Sequence, residues 1–227
     1  MAIIYMDAQF RPISAEEASQ IRYTVASEKV NEYITRHTLT YRNEGEACDL
    51  IPVFETVIPG KAEYYMIPSV NYNGNEWGTC QEPKGMTRDG QPWIFPPDRV
   101  SVPGCSVVQT DNSCIAVFAG KENTEASASV WERDGETVQR IYFSVIEYPV
   151  TYLRKYDYGD AQIGYVHFQP GQERTYVCYT YEKEKEPGDL YGYSQLFDYL
   201  NTDYATQLPR RYSPERIREL NFKFMES

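Results

Sequence analysis

From Arg22 onward the chain alternates short apolar–polar runs with turn dipeptides, and nothing between the runs has the length or period of a helical crossover. Parallel strands need a crossover of roughly a dozen residues or more, so the pattern admits only antiparallel pairing. In Arg36–Arg42, His37, Leu39 and Tyr41 alternate with Arg36, Thr38, Thr40 and Arg42, which predicts a strand with one wet face. Leu50–Ile58 reads as the next strand, with Pro59-Gly60 as a type II turn into Ala62–Ile67. Gly104–Gln109 and Ser113–Ala119 form a hairpin whose second arm, CIAVFA, is apolar on both faces and therefore central. Asp134-Gly135, between Ala126–Glu132 and Thr137–Ile146, is the strongest short hairpin signal. Thr151–Asp157, Gln162–Phe168 and Glu173–Tyr181 follow, the last two separated by Pro170-Gly171. With an edge strand at Ala2–Met6, this spacing gives about ten to twelve strands. The expected fold is mainly β: a large antiparallel two-sheet (super)sandwich over residues 1–186.

One stretch breaks the pattern. Residues 71–99, NYNGNEWGTCQEPKGMTRDGQPWIFPPDR, have neither helical nor strand period. Structureless connections longer than roughly 15 residues are uncommon in compact domains and are usually functional or disordered. Disorder fits poorly, because disordered segments lack aromatics. An ordered loop anchored by Tyr72, Trp77, Trp93 and Phe95 is expected.

The C-terminal segment differs again. Glu182–Glu186, EKEKE, reads as a solvated strand end leaving the sheet. Residues 187–227 form a linker and the start of a helical region. Ser194–Leu200 predicts one or two helical turns, with Tyr191, Tyr193, Phe197 and Tyr199 packing back on the sandwich. Further on, Ser213 suits an N-cap, Pro214 the first helical position and Glu215 the positive helix end. Ile217, Leu220 and Phe224 form an i, i+3, i+7 stripe with no partner helix in the sequence. Two readings stay open: the natural protein continues past Ser227, or the helix docks on the sandwich.

Composition narrows the function. The formal net charge of −11 disfavours polyphosphate backbones, so nucleic acid is not an expected partner. The N-terminus, MAIIYMDAQFRPI, is neither a signal peptide nor a membrane span, and no membrane partner is expected. The five cysteines are odd in number and lack CxxC spacing, which argues against a disulfide framework and a zinc ribbon. With Asp111-Asn112 as the turn, Gln109 faces Cys114, and Cys105 lies about 13 Å along its strand. Disulfide Cα atoms sit at most about 7 Å apart. Reduced thiols and a cytoplasmic location are expected.

No GxSxG, P-loop or GxGxxG is present, and His37 and His167 on separate strands make a poor metal pair. No cofactor and no metal are expected. What remains is an inventory suited to carbohydrate: aromatics to stack on C–H faces, and amides, carboxylates and a guanidinium for hydroxyls. The candidate binding residues are Asn71, Tyr72, Asn73, Asn75, Glu76, Trp77, Trp93, Asp98 and Arg99. Each has a plainer role. Asn73 and Asn75 can shape a turn, Trp77 and Trp93 can staple the loop, and Asp98-Arg99 can bond backbone. Glycosidases need two carboxylates about 5–9.5 Å apart, and Glu76, Glu82, Asp98 and Glu122 are candidates without an assignable pair. Glu122 also reads as a solvated turn residue.

The run IPSVNYNGNEWGTCQEPKGMTRDGQPWIFPPDRVSVPGCSVV, then SCIAVFAGKENTEASASVW, QRIYFSVIEYPVTYLRKYDY and PGQERTYVCYTY, resembles the N-terminal β-sandwich of bacterial glycoside hydrolases of the six-hairpin (α/α) type. The likeness covers roughly residues 20–227. It implies a helical toroid after the sandwich, with this chain stopping in its first helix at Ile217–Met225. It also implies catalytic carboxylates mainly in the toroid, none of them transferable here, so this chain alone would be inactive. The sandwich would brace the catalytic domain, and the 71–99 loop would wall the sugar pocket. Alternatives are a freestanding lectin-like module, a complete small enzyme, or an interaction domain with an acidic, tyrosine-rich face. A dimer through the C-terminal segment would cover its apolar stripe.

Overall fold

Alternating burial along the strands builds two antiparallel sheets face to face. The computed structural model describes residues 1–72, 84–87, 90–154, 157–159, 161–186, 188–189, 191–204, 213, 215–216 and 218. The first half of the chain contributes β1 (Ala2–Met6), β2 (Pro12–Ser14), β3 (Ile21–Lys29), β4 (Ile34–Asn43), β5 (Cys48–Pro59), β6 (Tyr64–Ile67), β7 (Asn71–Tyr72) and β8 (Ser106–Gln109). The second half adds β9 (Ser113–Ala119), β10 (Ser127–Arg133), β11 (Glu136–Tyr142), β12 (Ile146–Glu147), β13 (Val150–Arg154), β14 (Asp157–Gly159), β15 (Gln162–Ile163), β16 (Val166–Phe168) and β17 (Glu173–Glu184). One sheet runs β10-β11-β5-β1-β2, with β16 also on β5, and the other β3-β4-β17-β9-β8-β6-β7. The described strands outnumber the expected ten to twelve because several are two- or three-residue pieces bordering turns.

The core lies between the sheets. Tyr5, Phe54 and Ile141 from one meet Leu39, Tyr41, Val117, Ala119 and Cys178 from the other, all fully buried. Burying each large apolar side chain stabilises the fold by roughly 1.5–3 kcal/mol. In β4, His37, Leu39 and Tyr41 face inward as the alternation predicts. His37 is satisfied there: its Nδ1 lies 2.8 Å from Ser27 Oγ and its Nε2 2.9 Å from Thr180 Oγ1. β9 is central in the seven-stranded sheet, and Gln109 faces Cys114 across the hairpin. Cys48, Cys105, Cys114 and Cys178 are free thiols, and burial pushes Cys114 up to about 12. Cys80 lies outside the described residues.

The Asp134-Gly135 turn has positive φ at both positions (53° and 83°) and joins β10 to β11, with Ala128 opposite Ile141 and Trp131 opposite Val138. A type I′ turn requires that conformation, and its twist matches the strands it joins.

Several local expectations change, and Gln162–Phe168 is not one strand but β15 on β12 and β16 on β5. β1 is not an edge strand, since it pairs with both β5 and β2. The charge run leaves the sheet later than expected: Glu182, Lys183 and Glu184 still pair with Ile115, Cys114 and Ser113, and β17 ends at Glu184. The ladder toward β9 holds the backbone whatever side chains it carries. The end of the 71–99 stretch is partly strand-like, because Phe95 bridges Ala128 of β10 and Ile94 bridges Tyr148.

The sandwich occupies Met1–Tyr193, and Ser194–Ser227 forms a second unit. In that unit α1 (Ser194–Tyr199) runs into one π-helical turn, Leu200–Tyr204. Ser213 caps the next helical residues, its Oγ accepting the Arg216 N–H at 3.2 Å. Among the described residues no helix is long and apolar enough to cross a membrane.

Candidate functional site

A cleft of about 740 Å³ opens where the β9–β10 loop, the end of β11, the β15–β16 segment and the start of β17 converge. The loop is tied to the β17 backbone by one main-chain and one side-chain hydrogen bond: Gly120 N–H donates to Val177 O at 2.7 Å, and the Asn123 side-chain Oδ1 accepts the Val177 N–H at 2.6 Å. A Cβ on Gly120 would collide with the Val177 side chain, so glycine permits the close approach. This brings Glu122, Asn123 and Glu125 to the cleft wall.

Strand alternation supplies the opposite wall. Arg174 and Tyr176, two apart on β17, share a face and line the cleft. Tyr176 stacks on Phe143 at 4.7 Å. Its phenol is raised above the usual value by burial first; nearby Arg174 opposes the rise and Glu125 adds to it. Arg174 donates from Nη2 to the His167 carbonyl at 3.2 Å, and its guanidinium lies over the Phe168 ring. His167 Nδ1 sits 2.8 Å from Asp49 Oδ1. An ionised carboxylate only accepts, so Nδ1 carries the proton and Nε2 is an acceptor in the neutral ring. The Ser144 hydroxyl donates to the Gly164 carbonyl, closing the floor. A carboxylate pair, an amide, a guanidinium, an imidazole and a tyrosine thus border one open space.

Of the binding residues singled out from sequence, Trp93, Asp98 and Arg99 do not line this cleft. Asn73, Asn75, Glu76 and Trp77 lie outside the described residues, while Asn71 and Tyr72 form β7 beside β6. Trp93 is 5% exposed, packed with Tyr65, Ile67, Val108 and Val130 and stacked on Phe95 at 6.3 Å. It staples the stretch to the sheet edge. Asp98 is exposed, and Arg99 pairs with Glu147 at 2.9 Å. Burial raises the Glu147 carboxyl above its usual range, with Arg99 opposing and Asp98 adding to the rise. Glu147 and Gln162 are register partners, two residues along from Val145 and Gly164 on the cleft wall. Arg99 is therefore tied to the strand pair whose far end borders the cleft. Among the carboxylates noted from sequence, Glu122 lines it. Arg174 and Tyr176 escape a sequence reading because strand alternation marks them only as one face of β17.

No family model matches the chain, and no curated protein matches it. Among solved structures it is similar to an Escherichia coli K12 protein assigned as an aldose 1-epimerase, with 11% identity, a TM-score of 0.33, and coverage of 81% of this chain and 65% of that one. A galactose mutarotase-like protein of Clostridium acetobutylicum also superposes, with 11% identity, a TM-score of 0.28, and coverage of 73% and 63%. The chain thus spans just under two thirds of the length of either. Both superpositions are loose, and the chemistry of the cleft stands on this chain's own residues.

Proposed function

We propose that the chain is a carbohydrate-binding sandwich serving as one domain of a carbohydrate-active protein, with the sugar held in the β9–β10/β17 cleft. The observation that carries this reading is the convergence of Glu122, Asn123, Glu125, His167, Arg174 and Tyr176 on one open space. Sugars present a dense array of donors and acceptors. Sites for polar ligands place a few convergent polar groups against apolar walls, and Phe143, Val145 and Val166 supply such walls here. Residues 71–99, with Asn71, Tyr72, Asn73, Asn75, Glu76 and Trp77, would form an outer wall, joined to the cleft side through Arg99.

In this reading the sandwich braces a helical catalytic domain of the six-hairpin glycoside hydrolase kind and is inactive alone. The helical turns of Ser194–Tyr204 and the capped residues after Ser213 support it. A freestanding lectin-like module is favoured by a different observation: among the described residues, those lining the cleft come from the sandwich itself, between Glu122 and Tyr176.

Saturation-transfer NMR and calorimetry on the whole chain, across a panel of neutral and acidic monosaccharides and short oligosaccharides, test the site. Binding should be lost or weakened at least tenfold by Glu125→Gln or Arg174→Met, since a buried polar contact to a ligand is worth about 1.5–3 kcal/mol when one partner is charged. No binding across the panel, or binding indifferent to both changes, would remove the proposal. Turnover of chromogenic glycosides by the chain alone would contradict the bracing role.

A further inference from the structure

The seven-stranded sheet ends in an open strand. β3 is nine residues long, pairs with β4 without interruption from Ile21↔Asn43 to Lys29↔Thr35, and has no described strand on its other side. Every residue from Arg22 to Lys29 is exposed. Of the devices that blunt an edge, β3 has no proline, no bulge and no shortness, and its charges, Arg22, Glu28 and Lys29, stand only toward its ends. Its inner face is open too: Tyr23 and Val25 are 41% and 36% exposed, although their partners Tyr41 and Leu39 are fully buried.

The direction of the free backbone groups follows from one bond. Val30 N–H donates to Ile34 O at 2.9 Å, so the pair at the hairpin end is hydrogen-bonded. In an antiparallel ladder such pairs alternate. Arg22, Thr24, Ala26 and Glu28 therefore direct their N–H and C=O groups toward β4, while Tyr23, Val25 and Ser27 direct theirs outward.

We propose that β3 pairs with β3 of a second copy across a two-fold axis at Val25, joining the two seven-stranded sheets into one. Outward-pointing groups must oppose one another, which restricts the register. With Val25 opposite its own copy, Tyr23 meets Ser27 on both sides of the axis, and each such pair exchanges two backbone hydrogen bonds. The same register sets Arg22 opposite Glu28 twice on the outer face, where opposite charges are favourable. Glu28 then lies between Arg36 of its own chain, 3.1 Å away, and Arg22 of the other. Arg22 has a 76% exposed side chain whose partner is Glu44, itself 41% exposed, so it is placed to reach across. Moving the axis to Thr24 or Ala26 sets Arg22 against Ala26 or Val30 and loses both charge pairs. The occupant that fits this edge is the strand itself, a self-complementary arrangement of the kind two-fold interfaces require.

Sedimentation velocity over a concentration series tests it, at physiological ionic strength so that the net charge of −11 per chain is screened. The unaltered chain should sediment at twice 26.3 kDa at high concentration. Val25→Pro removes an outward N–H and no bond to β4, a position where an edge strand tolerates proline. That variant should be monomeric with unchanged circular dichroism. Glu28→Arg should weaken the dimer roughly tenfold or more, and adding Arg22→Glu to it should restore dimerisation. A chain that remains at 26.3 kDa throughout overturns the proposal. So does a dimer indifferent to all three variants, which would place the contact on another surface such as the C-terminal segment.

Discussion

His37 shows what a single residue does when a strand pattern takes it inside. The alternation in Arg36–Arg42 marks it as inward-facing, and the structure gives both ring nitrogens hydroxyl partners while burial lowers its pKa below 6.5. The unfolded chain therefore binds a proton at this ring more readily than the folded one. Its contribution to stability is present above the unfolded value and is lost as pH falls from there toward the folded value. Chemical denaturation between pH 7.5 and 5.5 (a span bracketing the usual histidine range) should show stability falling with acid. His37→Gln, which can still bond Ser27 and Thr180, should show a shallower fall. Equal slopes for the two proteins would contradict this account. Trp93 carries the opposite lesson: a tryptophan in an amide-rich stretch reads equally as ligand platform or staple, and burial of all but 5% of it makes it a staple.

At the scale of elements, turns were the most legible feature and strand ends the least. Asp134-Gly135 predicts a hairpin because few other dipeptides hold two positive φ angles, and the register from Ser127↔Tyr142 to Arg133↔Glu136 follows from it. Nothing lies within 4 Å of where a Cβ on Gly135 would be, so substitution there costs backbone strain alone. Gly135→Ala should destabilise by about 1–2 kcal/mol, a fall in melting temperature of roughly 2–8 °C for a chain of this size. An unchanged melting temperature would mean the turn relaxes into another type. The charge run at Glu182–Glu184 misleads because charge reports on side-chain solvation, whereas pairing is decided by the strand next door. The end of the 71–99 stretch likewise gives little strand signal, because only Ile94 and Phe95 make bridges, to Tyr148 and Ala128, too briefly for alternation to register.

For the whole molecule, the sandwich depends on side chains that couple the two sheets. Phe54 is fully buried, lies on β5 in one sheet, and has its ring 5.6 Å from His37 of the other. Phe54→Ala should cost about 3–5 kcal/mol, enough to lower the denaturation midpoint by a large part of a typical domain's stability. A loss under about 1 kcal/mol would mean that this contact does not hold the sheets together.

The amino-acid sequence by itself determined most of the longer strands, several of their turns, the antiparallel class and inward faces such as that of β4, because these are set by alternation and by backbone preferences within a few residues. Only the tertiary structure decided which distant strands meet. It brought Glu122, Glu125, His167, Arg174 and Tyr176 around one cleft and left β3 with no described strand beyond it. Sheet order is a matter of long-range pairing, and a side chain's neighbours across a sandwich leave no periodic trace along its own strand.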